Sequence, residues 1–103
     1  MAFHSGPFDA ALAAFAGADG ALQRELRAGF LESADRLLDL MGRSRCDANW
    51  QMAARRLHAL AGGFHATQLM ELAGEASGGV PGDPAALRRI QTHLGEIRGP
   101  TTV

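Results

Sequence analysis

The sequence predicts an all-α domain, an antiparallel up-down four-helix bundle with a short N-terminal helix laid across it. Three observations carry this expectation. Tyrosine is absent and valine nearly so, which starves any sheet of its favoured residues. Apolar residues recur at helical spacing through almost every segment. The breaks between these segments are short and rich in Gly, Asp and Pro, and short loops favour antiparallel neighbours.

Each helix has its own local warrant. Pro7 suits the first turn of a short helix, with Phe8, Leu12 and Phe15 at near-helical spacing. Gly17-Ala18-Asp19-Gly20 breaks it, and Asp19 is a suitable N-cap for the next helix. That helix is the longest, from about Gly20 to Gly42, with Leu22, Leu26, Phe30, Ser33, Leu37 and Leu40 as the expected buried stripe. Gly42 to Cys46 reads as a loop and Asp47 as the cap of the third helix, whose stripe is Trp50, Ala54, Leu57, Ala61 and Phe64. That stripe is narrow and partly alanine, so the helix can lie close to its neighbours. A break near Gly62-Gly63 leads into the fourth helix, with Leu69, Leu72, Ala73 and Ala76 facing inward. Ser77 to Gly82 is a loop, and Asp83-Pro84 is an N-cap followed by proline at the first helical position. Leu87, Ile90, Leu94 and Ile97 then form the cleanest stripe.

Composition narrows the function classes. A chain of 103 residues is sized for a single domain, 1–103, with flexible ends expected at 1–6 and 99–103. A hydrophobic fraction of 47% argues against disorder. A net charge of −1 draws the protein to neither nucleic acid nor an anionic membrane. All ten basic residues are arginine, so every cationic contact is a guanidinium. The single Cys46 excludes an intrachain disulfide. The first residues lack the cationic and apolar regions of a signal peptide, and no apolar run reaches about 18 residues, so a cytoplasmic protein is expected.

The most informative segment is Arg55-Arg56-Leu57-His58-Ala59-Leu60-Ala61-Gly62-Gly63-Phe64-His65-Ala66. It places a histidine in mid-helix, followed by small residues. With the short helix, the Gly/Asp turn and the long helix before it, this segment resembles the histidine-containing phosphotransfer (HPt) family, the helical carriers of multistep phosphorelays. The resemblance covers nearly the whole chain. The family carries His-x-Leu-Lys-Gly in its third helix, a further glycine about six residues on, then Ala-x-x-Leu opening the next helix.

Two registers fit that pattern. In the gapless one, Arg55 stands at the acceptor histidine's position, Leu57 matches the leucine, His58 the lysine and Ala59 the glycine. Phe64 then matches an apolar residue, His65 the second glycine, and Ala66 to Leu69 the start of the next helix. In the other, His58 is the acceptor, with Leu60, Ala61 and Gly62 as leucine, lysine and glycine, at the cost of a deletion of about three residues before Leu69. A three-residue slip changes azimuth by only about 60°, so periodicity does not separate the registers.

The resemblance implies phosphorelay signalling. The protein would dock on a response-regulator receiver domain or a hybrid sensor histidine kinase, and His58 would accept a phosphoryl group as a neutral imidazole. Arg55, Arg56, Ala59 and Gly62 would contact the partner: a cation to steady phosphate oxygens and small residues to permit close approach. The chain itself would be no enzyme, since no ATP-binding motif is present and the donor must lie elsewhere. The alternative is a non-catalytic binding module in which Arg55 replaces the acceptor, because a guanidinium stays protonated and holds no phosphoryl group. A third reading is a structural bundle that dimerises through an exposed apolar patch; a monomer is expected otherwise.

The remaining candidates read as structural. No cofactor is implied. His58 and His65 are seven residues apart, about 10 Å along a helix, too far to share a metal ion. His65 reads as a helix-end residue, Trp50 and Phe64 as core, and Glu71 and Glu75 as a polar face. His4 and His93 carry no local signal.

Overall fold

The computed structural model describes residues 6–99. They form five helices: α1 (Gly6–Ala16), α2 (Gly20–Gly42), α3 (Asp47–Gly63), α4 (Thr67–Gly78) and α5 (Pro84–Arg98). No strand occurs among the described residues. α2 packs on α3, α3 on α4, α4 on α5 and α5 back on α2, so these four close a ring; α1 lies against α2. The flexible ends expected from sequence fall mostly on 1–5 and 100–103, outside the described residues, as does His4. Gly6 already opens α1 and Gly99 caps α5.

Two of the three expected caps form. The Asp19 carboxylate accepts from the Leu22 N–H at 3.0 Å, and Asp83 accepts from Ala85 at 2.9 Å with Pro84 behind it. Each satisfies one amide that the first turn leaves unpaired. Asp47 does not cap α3. It lies inside the first turn, the cap position belongs to Cys46, and no side chain bonds there. Asp47 still complements the positive end of the helix.

The core follows the expected stripes in α3, α4 and α5, where Trp50, Ala54, Leu57, Ala61, Leu69, Ala73, Ala76, Ile90, Leu94 and Ile97 are buried. In α2 the expected stripe is widened: Leu26, Leu37 and Leu40 pack against the core but are only partly buried. Phe30, Leu31, Ala34 and Met41 are buried, Ser33 and Leu37 are half-buried, and Leu22 is 39% exposed. The cause is that α2 touches α1, α3 and α5 at once, so it buries a wide face rather than one row. His93 is also in the core at 3% exposure, with its Nδ1 3.3 Å from Glu96 Oε1.

Long-range polar contacts tie the ring together. The buried indole Nε1–H of Trp50 donates to the Ala76 carbonyl at 2.8 Å, joining α3 to α4. Arg27 joins three helices: it donates to Asp9 at 2.7 Å and to the Ile97 carbonyl at 3.1 Å, and its guanidinium lies 5.3 Å from the centre of the Phe8 ring. Phe8, Phe30 and Phe64 form a tilted aromatic cluster, and Phe15 sets its ring edge-on to Phe64. Among the described residues no helix is long and apolar enough to cross a membrane.

Candidate functional site

The α3–α4 turn sets the height of every candidate residue. α3 ends in a Schellman motif: the Ala66 N–H donates to Ala61 O at 2.9 Å and the His65 N–H to Gly62 O at 3.2 Å. Ala61 and Ala66, the residues at the two ends of the longer bond, are both buried. The residue between these two bonds must be left-handed, and it is His65, at φ 55°. Left-handed backbone is ordinarily a glycine position, because a Cβ crowds the neighbouring carbonyl. His65 is therefore a helix-end residue, as read from the sequence, and stands where glycine would fit better.

α3 buries Trp50, Ala53, Ala54, Leu57 and Ala61 along one face. Arg55, Arg56 and Ala59 lie on the remainder, all exposed. Among the described residues neither arginine forms an ion pair. α3 carries no carboxylate beyond its first turn, so nothing on the same helix competes for these guanidinium groups.

His58 is exposed but does not stand on the crest with Arg55. It lies about 60° around the helix from it, on the flank facing α4, and its Nδ1 is 3.0 Å from the Met70 carbonyl. A carbonyl only accepts, so Nδ1 carries the proton and donates. In the neutral ring the lone pair then lies on Nε2, the nitrogen free of this bond. One hydrogen bond thus fixes both the tautomer and the direction of the imidazole.

An open groove of about 540 Å3 runs beside the ring, lined by His58, Thr67, Met70, Glu71, Gly74 and Glu75. Gly74 keeps it open opposite the imidazole: a Cβ there would lie 3.8 Å from His58 Nδ1. Gly62, expected to give a partner room, is half-buried and faces the Met70 side chain on α4. A Cβ on it would meet Met70 Cε at 3.6 Å.

The structure therefore brings Arg55, Arg56 and Ala59 onto one exposed face and sets His58 at its edge, while Gly62 supports Met70. The grouping of Glu71 and Glu75 with His58 was not read from the sequence. Their four-residue spacing was visible, but the pairing of α3 with α4 that makes them neighbours of an α3 residue was not. The burial of His93 corrects the expectation that it carries no local signal. His93 lies three residues after Ile90 and four before Ile97, on the buried stripe. Comparison with family models, with curated proteins and with solved structures found no match to this chain.

Proposed function

We propose that this chain is an HPt-like docking module of phosphorelay signalling. In this reading α2 to α5 form a single-domain, up-down four-helix bundle in the cytoplasm, and the exposed face of α3 binds a receiver domain or the receiver of a hybrid histidine kinase. Arg55 occupies the phosphoryl acceptor's seat. The observation that carries this reading is the left-handed His65. The gapless register aligns His65 with the family's second glycine, and φ 55° at that residue is the conformation in which a glycine is favoured. The same register makes Arg55 the counterpart of the acceptor. A guanidinium there cannot relay phosphate, but it can place a fixed positive charge and a forked set of donors against a receiver's acidic pocket. The module would then regulate its partner by occupancy.

A second reading is favoured by a separate observation. His58 is exposed, has a groove beside it, and in the neutral ring keeps its lone pair on Nε2 because Nδ1 donates to Met70 O. That is the form of imidazole that attacks a phospho-aspartate. In this version His58 carries the phosphoryl group and Arg55, one turn earlier, steadies its oxygens.

The two readings separate in one assay. The protein is incubated with phosphorylated receivers from its own organism; binding is measured by calorimetry and acid-labile phosphate by intact mass. Occupancy predicts no label and a loss of affinity of about tenfold or more on Arg55→Ala. Label that disappears in His58→Ala establishes the carrier instead. Absence of both binding and label for every receiver refutes the family reading.

A further inference from the structure

α5 buries a histidine where its stripe calls for an apolar side chain. His93 shares the core face with Ile90, Leu94 and Ile97, and it is the one buried polar residue among those described. A polar ring in that place costs stability unless it is hydrogen-bonded, so packing alone does not account for it. Its Nδ1 lies 3.3 Å from Glu96 Oε1, one turn on. Both residues belong to the wall of an open groove of about 520 Å3 between α4 and α5. Gln68 enters this groove from α4, and Arg88, Arg89 and Thr92 complete its polar lining from α5. Arg88, Thr92 and Glu96 form one row at four-residue spacing, and Arg89 and His93 the row beside it. One end of the groove therefore holds two guanidinium groups and the other a carboxylate, about 10 Å away along the helix axis. The larger groove between α2 and α5 is built differently: Asp35 is paired with Arg98 and Asp39 with Arg43. The groove beside His58 is lined by carboxylates without a guanidinium.

We infer that the α4–α5 groove is a binding site for a small phosphorylated molecule that carries hydroxyl groups at its far end. Arg88 and Arg89 take the phosphate, because guanidinium groups offer paired donors that match its oxygens. Thr92, between the two ends of its row, and Gln68 across the groove offer uncharged hydrogen-bonding groups to the middle of the ligand. Glu96 accepts from the hydroxyls. A carboxylate accepts, so His93 Nδ1 donates to it and holds it at the end of the groove. The buried imidazole is thus a positioning residue, which accounts for a polar ring on the core face. The volume of the groove lies within the range of small-molecule sites. The inference does not rest on the docking reading, since no residue of α3 lines this groove.

The test titrates isotope-labelled protein with inorganic phosphate, ribose phosphate (phosphorylated at the primary hydroxyl) and ribose, followed by NMR at matched ionic strength. Saturable shifts are expected at the amides of Gln68, Arg88, Arg89 and Thr92 with both phosphates and not with ribose. Ribose phosphate should bind about tenfold more tightly than inorganic phosphate. Arg88→Gln with Arg89→Gln, both exposed, should weaken both phosphates about tenfold or more. Glu96→Gln should remove only the advantage of the sugar. His93→Leu should do the same, while His93→Asn, which keeps a donor near the place of Nδ1, should restore it; a purely structural role for His93 would alter both ligands alike. Circular dichroism checks the fold of each variant. No saturable shift up to about 10 mM of either phosphate would overturn the site. Shifts spread equally over Arg24, Arg45 and Arg55 would overturn it as adventitious association of anions with exposed arginines. A sugar advantage that is absent from the wild type, or that survives in Glu96→Gln, would overturn the two-ended arrangement.

Discussion

Replacing His65 by glycine should stabilise the protein. His65 occupies the left-handed position of the Schellman motif that ends α3, at φ 55°. For a residue with a Cβ this conformation costs about 1–2 kcal/mol. Glycine removes that cost but loses more backbone freedom on folding, a penalty of about 0.5–1 kcal/mol. The imidazole is exposed and makes no side-chain hydrogen bond among the described residues, so little is lost with it. The net gain is about 0.5–1 kcal/mol, which for a domain of this size raises the melting temperature by about 2–8 °C. The assay is thermal and urea denaturation followed by circular dichroism, with His65→Ala in parallel. Alanine removes the ring but retains the crowded backbone, so it should melt at or below the wild-type temperature. A His65→Gly protein that melts no higher than wild type would refute the argument. An equal rise in both variants would show that the ring, not the backbone, is the source of strain.

Three further outcomes follow from the packing and the site. Trp50→Phe removes the indole donor and leaves the Ala76 carbonyl with only the 3.4 Å bond from the Gly79 N–H, so it should destabilise by about 0.5–1.5 kcal/mol in urea denaturation. Gly79→Ala would place a Cβ 2.9 Å from the Glu75 backbone carbonyl, which cannot swing aside as a side chain would; a loss of about 1–3 kcal/mol is expected, with the end of α4 exchanging its amides faster. Arg55→His tests the gapless register directly: it should acquire acid-labile phosphate from phosphorylated receivers that leave the wild type unlabelled, and a variant that stays unlabelled while still binding would count against that register.

How legible this protein is depends on where each residue's partner lies. α5 is readable in full, because its cap, its proline and its stripe of Leu87, Ile90, Leu94 and Ile97 are all local signals. The bounds of α2 are equally local, with Asp19 at one end and Gly42 at the other. Its buried face is not, since Leu31 and Met41 are buried beside the half-buried Leu26, Leu37 and Leu40, and only the positions of α1, α3 and α5 set how wide that face is. Asp47 misleads for a related reason: it is a good capping residue, but the chain enters α3 one residue earlier, at Cys46. At the site, the exposure of Arg55 and His58 follows from α3's own stripe. The bond from His58 to Met70 and the nearness of Glu71 and Glu75 require α4 to pack beside α3, which no spacing within one helix encodes.

The turn of residues 64–66 has a consequence for the order in which the chain acquires its structure. It joins the most extensively packed pair of helices through a short turn, and the bond from Trp50 to Ala76 closes their far end across only 26 residues. The contacts that draw α5 onto α2 span 63 and 70 residues, from Arg98 to Asp35 and from Arg27 to Ile97. Loop-closure entropy favours the nearer contacts, so the α3–α4 hairpin is the natural nucleus and closure of the ring by α5 the late event. Substitutions within the hairpin should therefore slow folding, while those at the α2–α5 seam should chiefly speed unfolding. The surface proposed to meet a partner lies wholly on the early-formed half. It can survive transient release of α5, and a partner bound there would hold together the part of the protein from which the rest refolds.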